Sequence, residues 1–64
     1  MIGFVRIEQS SRSKMWYEKL VGEIWPVYAD KGVEWETYEF SGHKNYILKK
    51  DASYVSNAET PKSK

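Results

Sequence analysis

Enzymatic chemistry needs a nucleophile, an oriented base or a set of metal ligands within reach of one another. Few residues of this 64-residue chain qualify. His43 is the one histidine, and it lies in the turn-like run Ser41-Gly42-His43-Lys44. With no second ligand or nucleophile beside it, His43 reads as an exposed turn residue. Ser10, Ser11 and Ser13 supply hydroxyls, but no base or oxyanion turn accompanies them. Glu34 and Glu36 share one face of a strand, and paired carboxylates are a glycosidase feature. A barrel of about 55 residues has no cleft deep enough to hold a sugar ring between them. Cysteine is absent, which removes thiolates and disulfides and fits a reducing cytoplasm. Gly3, Gly22, Gly32 and Gly42 stand singly, so no phosphate-cradling loop is formed. The expectation is a protein without catalytic residues, cofactor or metal.

Binding is what remains, and composition says with what. Ten Lys/Arg against nine Asp/Glu leave a net charge of +1, which selects neither nucleic acid nor an anionic membrane. Met1-Ile2-Gly3-Phe4-Val5 is broken by Arg6 and Glu8, so it does not read as a secretory leader. The longest apolar stretch, Leu20 to Ala29, contains Glu23 and is too short to span a bilayer. Aromatic residues reach 16%, with three Trp, five Tyr and two Phe. A core this small cannot fully enclose all three tryptophans.

The elements that must position these residues follow from alternation and turn signals. Residues 2–8 read as a strand with Val5 and Ile7 inward. Gln9 to Lys14 is a polar loop. Met15 to Gly22 is either a two-turn helix capped by Ser13 or a long loop with one helical turn. Glu23 to Tyr28 is a strand that Pro26 confines to an edge or bulge. Asp30-Lys31-Gly32 is a turn. Val33 to Phe40 is a strand with Trp35, Thr37 and Glu39 on one face and Glu36, Tyr38 and Phe40 on the other. Residues 41–44 close a hairpin into the buried strand Tyr46-Ile47-Leu48. A tight turn at 49–52 precedes a last strand at Tyr54-Val55. Residues 56–64 hold nothing larger and apolar than Ala58, which predicts a disordered tail.

Residues 1–55 therefore form an all-β unit, a small five-stranded SH3-like barrel with a disordered C-terminal tail at 56–64. An OB-like barrel ranks second, since it needs more chain and a helix between its third and fourth strands. The expected core is Val5, Ile7, Leu20, Val21, Val27, Phe40, Ile47 or Leu48, and Val55.

Two segments carry a resemblance. Trp16-Tyr17 followed by Val21-Gly22-Glu23-Ile24-Trp25-Pro26-Val27 resembles a Trp-Tyr-x3-[Ile/Val]-Gly-x2-aromatic-x-Val pattern. Ile47-Leu48-Lys49-Lys50-Asp51-Ala52 is similar to a strand-then-turn ending Ile-Leu-x-x-Asp-Ala. Both are features of small SH3-like barrel proteins encoded by phages and prophages of Gram-positive bacteria. The resemblance covers roughly residues 5–55 and brings no catalytic residues with it. It implies a short accessory protein that binds and modulates or inhibits a bacterial host protein in the host cytoplasm. Trp25 is larger than the Phe or Leu common at its place and precedes Pro26, which implies an irregular second strand.

If Phe40 is core, the alternation turns Trp35 outward between Glu34 and Glu36. Exposed Trp and Tyr are the residue types of interface hot spots. The expected partner-binding residues are Trp16, Tyr17 and Trp35 as anchors, with Arg12, Lys14, Glu34 and Glu36 as a charged rim. The acidic run at 33–40 also invites a reading as a nucleic-acid mimic. A nucleic-acid-binding barrel is the alternative: Trp16 and Tyr17 lie near Arg12 and Lys14, and Lys44, Lys49 and Lys50 cluster near the fourth strand. An exposed edge strand also offers a route to a homodimer.

Overall fold

The computed structural model describes residues 1–55, and the tail expected at 56–64 lies outside the described residues. Six strands follow in chain order: β1 (Gly3–Ile7), β2 (Ile24–Val27), β3 (Ala29–Asp30), β4 (Glu34–Tyr38), β5 (Lys44–Leu48) and β6 (Ala52–Tyr54). They form two antiparallel three-stranded sheets, ordered β2-β1-β6 and β3-β4-β5. Short 3-10 turns at Glu18–Leu20 and Lys49–Asp51 complete the regular structure. The fold is all-β.

The sixth strand arises where one expected strand changes sheet. Ile24 to Val27 pair with β1, Tyr28 passes between, and Ala29 and Asp30 pair with Glu36 and Trp35 of β4. Asp30, expected in a turn, is thus a strand residue. The turn begins one residue later, and Gly32 at φ +88° donates its N–H to Asp30 Oδ1 at 2.9 Å. Pro26 lies on the outer strand of its sheet, where a missing N–H breaks no ladder bond. Its carbonyl accepts the Thr37 hydroxyl at 2.6 Å, which ties the two sheets together.

Between β1 and β2 the long loop contains one 3-10 turn, not a two-turn helix. Glu18 N–H bonds Met15 carbonyl and Leu20 N–H bonds Tyr17 carbonyl, and no side chain caps the turn. Ser13 therefore does not act as a cap. Gly22 then re-enters the sheet by donating to Ile7 carbonyl at 2.7 Å.

Val5, Ile7, Tyr17, Val27, Trp35, Ile47, Ala52 and Val55 are buried. Each valine and isoleucine among them contributes about 1.5–3 kcal/mol by leaving water. Trp16, Leu20, Trp25 and Met15 are half-buried around this cluster. Three expectations are corrected here. Phe40 is 96% exposed, Val21 is exposed, and Trp35, expected outward, is only 8% exposed. β4 ends at Tyr38, so its alternation never reaches Phe40. Within β4 the inward phase is Trp35 and Thr37, because Thr37 finds the Pro26 carbonyl inside. Glu36 then stays near the surface, 3.7 Å from Lys31. Of the two candidates on β5, Ile47 is the core residue and Leu48 is half-buried.

Gly3 admits Tyr54 against its backbone, and a Cβ there would overlap the phenol ring. The Tyr54 hydroxyl donates to Ile2 carbonyl at 2.7 Å. Gly3→Ala should displace the ring and cost about 1 kcal/mol, the worth of the lost hydrogen bond. In a Tyr54→Ala background the same change should cost nothing further in urea unfolding. Equal losses in both backgrounds would contradict this packing.

Candidate functional site

A buried carboxylate organises the long first loop. Asp51, at 0% exposure, ends the second 3-10 turn. It accepts the Tyr17 hydroxyl at 2.5 Å, the Ser11 hydroxyl at 3.0 Å and the Ser11 N–H at 3.2 Å. Its carbonyl accepts the N–H groups of Glu8 and Gln9. Burial opposes ionisation of Asp51, but hydrogen bonds from Tyr17 and Ser11 outweigh it and hold the carboxyl below its usual range. Burial, reinforced by the Asp51 hydrogen bond, pushes the Tyr17 phenol up to about 12. The Tyr17 hydroxyl and the Ser11 hydroxyl and N–H all donate to Asp51, which ties the first loop to this turn. Among the described residues no three His, Cys, Asp or Glu side chains group to hold a metal. His43 is exposed in the β4–β5 turn, as its sequence context suggested.

The loop so held sets the Trp16 indole against Trp25 of β2. Trp16 Nε1 donates to Tyr46 carbonyl at 2.8 Å, and Trp25 Nε1 donates to Tyr38 carbonyl at 3.1 Å. The rings meet edge to face with centroids 5.9 Å apart. Phe40 continues the row, 6.5 Å from Trp25. Together with Leu20 they line an open groove of about 580 Å³, rimmed by Lys19, Glu23 and Glu39. Both indole N–H groups are already bonded, so the ring faces are fixed before anything binds. A fixed apolar surface loses little side-chain entropy on association.

The residues expected to form one binding surface are not brought together. Trp16 lines the groove. Tyr17 is fully buried as the Asp51 donor, and Trp35 lies beneath Lys49, whose Nζ is 5.5 Å from the indole centroid. Both belong to the buried core cluster. Arg12 and Lys14 are exposed on the loop, with Lys14 at φ +65° and its N–H on Glu18 Oε1. Glu34 and Glu36 lie on the outer face of β4, opposite Leu48 and Tyr46. Trp25 and Phe40 complete the groove and were missed. The available signal was Phe40 itself, an apolar residue beside Ser41-Gly42 with no strand left to turn it inward.

Strand edges offer little further surface. On β5, Tyr46 N–H bonds its neighbour Asn45 Oδ1, Tyr46 carbonyl takes Trp16, and Leu48 N–H points to the Tyr17 hydroxyl. β2 carries Pro26, and β3 and β6 span only two and three residues. Such edges resist strand addition by another chain. No helix among the described residues is long and apolar enough to cross a membrane. Comparison with protein-family models, curated proteins and solved structures gives no significant match.

Tyr17→Phe should cost about 1.5–3 kcal/mol, since it deletes a buried bond to a charged acceptor. Asp51 ionises more readily folded than unfolded, so its contribution is complete above a pH of about 4 and disappears as pH falls further. Tyr17 keeps its proton more tightly when folded. Its contribution is complete below a pH of about 10 and is lost as pH rises through about 12. Urea midpoints measured across pH should show both declines in the wild type. A Tyr17→Phe variant as stable as the wild type would contradict the assignment.

Proposed function

We propose that this chain is a small SH3-like barrel serving as a non-catalytic protein-binding module, a phage-encoded modulator or inhibitor of a bacterial host protein in the host cytoplasm. The order of elements supports the barrel. A long loop follows β1, one strand path bends at Tyr28 to serve both sheets, a hairpin joins β4 to β5, and a 3-10 turn precedes β6.

One observation carries the binding reading: Phe40 is 96% exposed and its ring meets Trp25 at the mouth of the aromatic groove. An apolar ring left in water beside two fixed indoles gains from a partner that covers it. An apolar side chain of the host protein seats on Trp16, Leu20, Trp25 and Phe40, while Lys19, Glu23 and Glu39 set its orientation. Inhibition would be steric. These anchors replace Tyr17 and Trp35, which the core consumes.

Affinity capture from a Gram-positive lysate, with and without nuclease, tests the reading. One stoichiometric protein should survive nuclease, and Phe40→Ser should weaken its capture about 30-fold, the effect of a hot-spot residue. Because Phe40 is exposed, the variant should unfold at the same urea concentration as the wild type. Capture that is indifferent to Phe40→Ser would remove the groove from the account. Capture abolished by nuclease would favour nucleic acid instead.

A further inference from the structure

A second pocket shares no residue with the groove. It encloses about 480 Å³ between Arg12 of the first loop, Gly32 and Val33 of the β3–β4 turn, and Leu48, Lys49 and Lys50 at the end of β5. Three cations line it, although the whole chain carries a net charge of only +1. They come together because Asp51 holds Ser11, and the Gln9 amide holds Lys50 carbonyl at 3.0 Å. These bonds bring the loop that carries Arg12 against the turn that carries Lys50.

One of these cations already meets a carboxylate of the chain itself. Asp30 Oδ1 accepts Lys49 Nζ at 2.6 Å and Gly32 N–H at 2.9 Å. Lys49 is thereby half-committed, whereas no ion pair among the described residues engages Arg12 or Lys50. Val33, 74% exposed, and half-buried Leu48 give the pocket an apolar part.

We infer that this pocket binds an acidic peptide segment in which Asp or Glu alternates with an aliphatic residue. The carboxylates meet Arg12, Lys50 and the free side of Lys49, and the aliphatic side chain covers Val33 and Leu48. A backbone nest for phosphate is built from free N–H donors. Here Gly32 N–H is taken by Asp30 and Lys49 N–H by Val33 carbonyl. Single-stranded nucleic acid would need an open ring for stacking. The ring at this place, Trp35, is buried beneath Lys49. The site stands independently of the aromatic groove.

Amide nitrogen–proton correlation spectra of the full chain test this, titrated with acetyl-Glu-Leu-Glu-Leu-Glu amide at physiological salt. The other arms use its Gln-for-Glu counterpart, inorganic phosphate and a short oligothymidylate. Shifts should centre on Arg12, Gly32, Val33, Lys49 and Lys50 with the acidic peptide alone. Arg12→Gln combined with Lys50→Gln should weaken the peptide about tenfold, taking a few-fold per exposed charge. Asp30→Asn keeps an acceptor for Gly32 N–H but frees Lys49, so it should tighten the peptide about two- to fivefold. A role confined to structure would not produce that gain. Equal shifts with phosphate or oligothymidylate, shifts spread over Lys14, Lys19 and Lys44, or an unchanged Asp30→Asn affinity would each overturn the proposal.

Discussion

The arrangement depends on one carboxylate out of contact with water. An ionised Asp in a core this small is costly unless several donors face it. Asp51 gathers three, from the Tyr17 hydroxyl and from the hydroxyl and N–H of Ser11. Those donors lie 34 and 40 residues before it, so the interaction joins the first loop to the turn before β6. The two segments singled out for resemblance, the Trp16-Tyr17 pair and the Asp51-Ala52 turn, meet in this one hydrogen bond. Losing the Tyr17 hydroxyl would leave Asp51 with the Ser11 donors alone, and losing the carboxylate would leave the buried phenol without its acceptor.

Fixing the loop has consequences at both of its flanks. On one side Trp16 is set against Tyr46 carbonyl and Trp25, which builds the aromatic groove and occupies the edge of β5. On the other, Arg12 is carried to Lys49 and Lys50. A loop of this length would ordinarily be mobile, since loops contribute few buried contacts. Here Tyr17 is a core residue, packed in the same cluster as Val5, Ile7 and Ile47. The surfaces are therefore by-products of a core contact, and they share its stability.

Much of this architecture was legible in the residues. Alternation placed β1, β4 and β5, Pro26 pointed to an outer strand, and the glycine-bearing turns fell close to their expected places. The phase of β4 was not legible. Two aromatic residues on the even positions outweighed one on the odd, and only the Pro26 carbonyl, in another strand, makes Thr37 the better inward residue. Tyr17 and Trp35 misled for a related reason. Large amphipathic rings suit cores and interfaces equally well, and what separates them is a distant partner such as Asp51 or Lys49. The basic pocket was half visible, since Lys49 and Lys50 are adjacent, but Arg12 joins them only through the folded loop.

Amide hydrogen exchange tests most directly whether the loop belongs to the core. The Ser11 amide, bonded to Asp51, and the Gly22 amide, bonded to Ile7 carbonyl, bracket the loop. If the buried carboxylate holds the loop as described, both should exchange only with global unfolding, at the same free energy as the amide of Val5 in β1. If Ser11 exchanges freely while Val5 stays protected, the loop opens alone, and the account of both surfaces fails with it.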